Sequence, residues 1–356
     1  MAAIRPRDLL SDGLLGRLGG TGADGTGAGA ADGARAADGA REPARAVSRD
    51  AARAVSRDIA KLADVGYLNV ALPPEFGGLG CTLRRAACGQ RRLARHAPLT
   101  ATAVSAHLYW TGAAADAYRA GDDSMRWILL EAARGALFAG GHDEAGGDLR
   151  FASPRSRCEL AGEMGYRFKT PSVLSTVTPS WDWVAVHGIT DGAQPDAVLA
   201  FAGRGSRCTP AFRVARVLPA GTPSDVFTSS AIAWGHSLLA SVEYSDARRA
   251  FNNAVALAGG RRAGGGPAGG SPAGAHPLDR WPVAEASLRL DSMKAAIAQI
   301  THPWPLVPEQ GPDLGGQHLI GIHTMRHVVA DGAAHVHRLI RQMTTASSSP
   351  SSVPAR

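Results

Sequence analysis

The chain has 356 residues, of which 45% are apolar and 19% charged, with 43 Gly and 22 Pro. That length excludes a small disulfide-stabilised scaffold and leaves one large multi-layered unit or two intimate domains. A formal net charge of +7 raises the question of a polyanion partner. Yet only Lys61, Lys169 and Lys294 among the 38 basic residues are Lys, and no basic run is interleaved with aromatics, so nucleic acid is not expected.

Cys81, Cys88, Cys158 and Cys208 form no CxxC pair, which argues against zinc or dithiol chemistry and fits a reducing cytoplasm. The N-terminal residues lack a signal-peptide pattern. The uncharged run Val226 to Val242 is shorter than a membrane span and contains several Ser and His236, so it reads as a buried helix and no membrane is expected as a partner.

Taken in chain order, Gly19 to Ala40 offers almost no apolar surface, and residues 1–43 read as disordered or of low complexity. The heptapeptide ARAVSRD then occurs twice, starting at Ala44 and at Ala52. This local duplication lengthens a first helix that continues through Ile59, Leu62 and Val65 to a stop at Gly66. Two prolines and three glycines make Pro73 to Gly80 a structured loop. Helical patterns resume at Leu83 to Ala94, Leu99 to Ala120 and Met125 to Ala132, so 44–135 is expected to be a helical domain.

Short β-prone runs follow at Tyr166 to Lys169, Trp183 to Val186 and Ala197 to Phe201, and 136–222 is expected to form a compact antiparallel β domain. Helical spacing returns over Asp225 to Ala258, with Phe227, Leu238 and Phe251 as core candidates. After a Gly/Pro/Ala loop it continues over Val283 to Ile300 and His318 to Met343, so 223–344 reads as a helical bundle. The Ser/Pro tail, 345–356, is expected to be disordered. The fold class is mainly α with a central β domain.

Several stretches together resemble the acyl-CoA dehydrogenase family. They are DVGYLNVALPPEFGGLG (64–80), RLARHAP (92–98) with His107, GYRFKTPSVLSTVTPSWDWVAVHG (165–188), YSDARRAFNNAV (244–255) and HPLDRWPVAEASLRL (276–290). The resemblance implies an N-terminal helical domain, a middle β-barrel-like domain and a C-terminal helical bundle. It further implies FAD as cofactor and an acyl thioester or related carbonyl compound as substrate. Flavin contacts are then expected from Leu174, Ser175, Thr176 and Thr178, with Trp181 or Trp183 near the ring and Arg261 or Arg262 near a neighbouring subunit's pyrophosphate. A homo-oligomer, or a hetero-oligomer with a paralogue, is expected as well.

The departures from the family pattern bear on activity. Ala145-Gly146-Gly147-Asp148 stands where the family usually has Ala-Gly-Ser-Asp, and the strand motif that closes the β domain is missing between Arg204 and Val217. No glutamate occupies the position of the α-proton base, and the family's second base location falls at about Trp234 or Gly235. His236 is the nearest titratable group and the candidate acid or base, a core histidine satisfied by hydrogen bonds being the alternative. A bundle shorter than the family's supports the competing expectation of a degenerate member without redox activity, a cyclase or isomerase or a partner subunit.

Two further clusters stand out. Arg84, Arg91 and Arg95, with Arg85 and Arg92 beside them, lie on one helix and could meet a phosphate or an acidic partner, or be a solvated face. His323 and His327 have the spacing of a metal pair but no nearby carboxylate or Cys ligand, so no metal is expected.

Overall fold

The computed structural model describes residues 6–18, 49–140, 156–160, 166–168, 180–204, 212–219, 225–263, 281–302 and 316–346. Residues 6–18, expected to lack packed structure, form two short helices, α1 (Pro6–Leu9) and α2 (Asp12–Leu15). Four leucines explain the difference: Leu10, Leu14, Leu15 and Leu18 are all buried. Polar ties hold them down, from Arg92 to Asp12 and from Lys61 Nζ to the Arg17 carbonyl, both 2.7 Å long. The low-complexity stretch 19–48 and the tail beyond 346 lie outside the described residues.

Helix α3 (Arg49–Asp64) buries Val55, Ile59 and Leu62 on one face and stops at Gly66, whose φ of 73° suits a residue without Cβ. The Pro-Gly loop folds back on itself through hydrogen bonds from Gly80 N to Leu72 O and from Cys81 N to Val70 O. Gly78 is obligatory there, because a Cβ would lie 2.5 Å from the Asn69 carbonyl oxygen. Three helices follow, α4 (Leu83–Ala94), α5 (Pro98–Arg119) and α6 (Arg126–Ala133), within a residue or two of the expected ranges.

Among the described residues six strands come next: β1 (Phe138–Gly140), β2 (Arg157–Leu160), β3 (Tyr166–Phe168), β4 (Trp183–Thr190), β5 (Asp196–Gly203) and β6 (Phe212–Pro219). The sheet order is β3-β2-β4-β5-β6, with β1 also paired to β4. It is mixed rather than purely antiparallel, since β1 and β2 both run parallel to β4. Parallel pairing needs long connections, and more than 20 residues separate β4 from each of them in sequence. Strand β6 occupies part of the stretch where a closing strand was not expected. Its two exposed valines, Val214 and Val217, hide the alternation by which a strand is read.

The remaining helices are α7 (Val226–Ala263), α8 (Trp281–Thr301) and α9 (Gly316–Ala346). Helix α7 is central and is buried on every side from Phe227 to Leu238, packing on α4, α5, α8 and α9. One apolar core runs from α1–α6 through one face of the sheet into α7–α9. Among the described residues, no helix is long and apolar enough to cross a membrane.

Candidate functional site

The centre of the molecule is the crossing of α5 and α7. Small residues line α5 here, and Gly112 opens a notch that receives the Trp234 indole; a Cβ at 112 would sit within 2.5 Å of three indole carbons. Close helix approach of this kind requires glycine on one side and lets an aromatic fill the other. Trp234 Nε1 donates to Asp116 Oδ2 at 2.8 Å, while Arg119 Nη1 donates to Asp116 Oδ1 at 2.9 Å. The carboxylate is almost fully buried, its side chain 3% exposed, with both oxygens engaged.

An aromatic layer joins this crossing to the sheet. Trp110 meets Phe201 edge-on at 4.9 Å and stacks on Phe227 at 5.9 Å, and Trp127 packs edge-on against Trp183 at 5.2 Å. Arg216 on β6 lies 5.4 Å over the Phe227 ring and bridges Asp122 and Asp225. Asp225 in turn caps α7, accepting from Thr228 N at 2.8 Å.

His107 fastens the same layer from below. Its Nε2 lies 3.1 Å from the Leu68 carbonyl, and Phe138 N donates to its Nδ1 at 3.3 Å. Those contacts require the neutral ring protonated at Nε2, and burial lowers its pKa to about 4. Burial also pushes the Cys81 and Cys158 thiols up to about 11, which removes them as nucleophiles at neutral pH.

The expected site residues are distributed as follows. His236 is fully buried on α7, with its ring 5.3 Å from that of His323 on α9. Two residues of helix, about 200°, separate it from Trp234, so it points away from the α5 crossing. Trp181 is half-buried against Ala139, Val184 and Ala202, a row of small residues in register across β1, β4 and β5. That row lies on the opposite face of the sheet from Phe138, Ala185 and Phe201, so His236 and Trp181 belong to separate regions.

Leu174, Ser175, Thr176, Thr178 and the segment Ala145 to Asp148 lie outside the described residues. Arg261 falls in the last turn of α7, its side chain outside them as well. His323 and His327 are exposed on α9, and among the described residues no three His, Cys, Asp or Glu side chains could hold a metal. His335 instead pairs with Glu285 at 2.8 Å and His337 with Asp246 at 3.6 Å, tying α9 to α8 and α7. Sequence reasoning missed Asp116. Its one signal is a lone carboxylate in an otherwise acid-free stretch, with Arg119 three residues on.

A flavin needs a flat apolar wall for its ring and polar groups at the rim. Among the described residues the Ala139-Val184-Ala202 row with Trp181 packed against it supplies apolar surface of that kind.

No family model matches the sequence, and neither does any curated protein. The fold has counterparts among solved structures. A nitrososynthase from Micromonospora carbonacea var. africana is 17% identical, with 86% of this chain and 95% of that chain covered and a TM-score of 0.55. The prolyl acyl carrier protein oxidase AnaB is 12% identical, with 84% of each chain covered and a TM-score of 0.57. A steroid ACAD is 17% identical over 82% of this chain and 77% of that chain, with a TM-score of 0.55. These similarities show one fold, that of the acyl-CoA dehydrogenases.

Proposed function

From the acyl-CoA dehydrogenase fold as premise, we propose that this protein is a flavin-dependent oxidoreductase acting on an acyl thioester or a related carbonyl compound. The observation that carries the reading is the helix-sheet-helix arrangement shared with structures named as an oxidase, a nitrososynthase and an ACAD. Trp181 and the Ala139-Val184-Ala202 row would take the ring of FAD. The hydroxyls of Ser175, Thr176 and Thr178 and the main chain at Leu174 would take its rim, and Arg261 a pyrophosphate. Bound FAD would supply two-electron redox chemistry.

The chain's own acid-base groups limit that chemistry. The family's second base location falls at about Trp234 or Gly235, neither of which can take a proton, and the only carboxylate of the first five turns of α7, Glu243, is bound by Arg326 of α9. Asp116 is committed to Trp234 and Arg119. In this reading the first five turns of α7 offer no uncommitted carboxylate base, and His236, buried beside His323 of α9, is the candidate proton carrier there.

A second reading, a degenerate member serving as a cyclase, isomerase or partner subunit, is favoured by the packing of Trp234 and Trp110 at the α5-α7 crossing. The absorption spectrum of the purified protein between 350 and 500 nm, with mass spectrometry of what heat releases, separates the two. Stoichiometric FAD that bleaches on adding an acyl thioester is the expected result. A colourless protein that takes up no FAD on reconstitution would sink the first reading and leave the second.

A further inference from the structure

Helix α4 carries Arg84, Arg85, Arg91 and Arg92, with Arg95 at its C-cap, and no Asp or Glu occurs between Glu75 and Asp116. Several other helical arginines are neutralised within their own helix. Arg53, Arg119, Arg134 and Arg249 each pair with a carboxylate three residues before, and Arg289 with one four before. On α4 that device is absent. Among the described residues Arg92 pairs with Asp12 of α2, and Arg91 Nη2 lies 2.9 Å from the Cys88 sulfur.

The arrangement is a stripe. Arg84, Cys88, Arg91 and Arg95 succeed one another at spacings of four, three and four, down the face opposite the buried Leu83, Ala86, Gln90 and Leu93. Arg84, Arg85, Cys88 and Arg95 are exposed and Arg91 half-buried. Two of these charges oppose the helix itself, since Arg84 and Arg85 sit in the first turn at the positive end of the dipole, whereas Arg91, Arg92 and Arg95 lie at the C-terminal end, where the dipole favours them although Arg91 faces Arg95 one turn away. A general preference for Arg in the composition enriches it everywhere and does not account for the missing carboxylates.

We propose that this stripe is a docking surface for an acidic helix of another protein, presenting carboxylates at the spacing of Arg84, Arg91 and Arg95, seven and four residues. Guanidinium groups bind carboxylates through two parallel hydrogen bonds, and the stripe spans about 16 Å, three turns of a partner helix laid alongside. Nucleic acid fits less well, since α4 offers no aromatic on which a base could stack. The flavin reading is independent of this one, and a colourless protein would dock the same partner.

The test uses the full chain and a fluorescent synthetic helical peptide with Glu at positions 1, 8 and 12. Saturable binding that weakens with salt is expected, with about a tenfold loss in the Arg84→Gln/Arg91→Gln/Arg95→Gln variant. The control pair Arg53→Gln/Arg134→Gln, whose arginines already have partners, should bind as the unaltered protein does. Undiminished binding by the triple variant overturns the proposal. So does equal binding of a peptide of the same composition with its carboxylates spread round the helix, or tighter binding of single-stranded DNA of equal charge. Circular dichroism checks the fold of the triple variant. Should it unfold, the three single variants replace it, each expected to lose about twofold.

Discussion

Trp234, Gly112 and Asp116 form a unit in which each member exists for the others. Gly112→Ala forces a methyl into the indole and should cost about 1–3 kcal/mol, and Trp234→Ala, which empties the notch, about 3–5 kcal/mol, both read from urea midpoints. Asp116→Ala leaves the indole N–H and the Arg119 guanidinium without their acceptor and should cost at least about 1–3 kcal/mol. His107 makes a pH prediction. Its pKa is lowered from 6.5 to about 4 in the folded chain, so the unfolded chain binds more protons between those values. Stability conferred by the neutral ring is complete above 6.5 and lost as pH falls towards 4, about 3 kcal/mol in all. Denaturant curves at pH 7 and pH 4.5, for the protein and for His107→Gln, should show a pH-dependent gap; equal slopes would refute it. None of these roles was legible from the chain. A glycine in a helix and a tryptophan 122 positions on become a notch and its filler only once α5 and α7 cross.

At the scale of elements, helices were read closely because apolar spacing survives in sequence: α4 begins and ends where the pattern of Leu83, Ala86, Ala87, Gln90 and Leu93 predicts. Strands fared differently. Strands β1 and β2 are only three and four residues long, and β6 mixes exposed valines with a half-buried Arg216, so neither length nor alternation announces them. Two predictions belong here. Asp225→Ala removes both the cap of α7 and a partner of Arg216, and should cost about 1–2 kcal/mol in thermal unfolding. Arg84→Glu/Arg85→Glu replaces positive charge at the start of α4 by negative and should raise the melting temperature, a gain of about 0.5–1 kcal/mol, while weakening any acidic partner. A fall in melting temperature would show that those arginines serve the fold itself.

Over the whole molecule, α9 is held to the rest by polar clasps. Arg326 grips Glu243 on α7, His335 pairs with Glu285 on α8, and His337 with Arg249 holds the Asp246 carboxyl at about 2. Asp246 contributes stability above about 3.8, which is lost as pH falls towards 2. In the Arg326→Ala/Asp246→Asn variant, hydrogen exchange of α9 amides should quicken by about one to two orders of magnitude while α5 stays protected. Unchanged exchange would mean that Val329, Val336 and Met325 secure the helix without help.

The sequence by itself determined the succession of helices, strands and helices and the resemblance that named their fold, because periodicity and turn residues are local properties. Only the tertiary structure decided that β1 and β2 join β4 in parallel, that Asp116 is buried under Trp234, and that His236 turns towards α9 while Trp181 lies on the far face of the sheet. Those are outcomes of packing between segments distant in the chain, where the energy of a contact depends on a partner that no local pattern encodes.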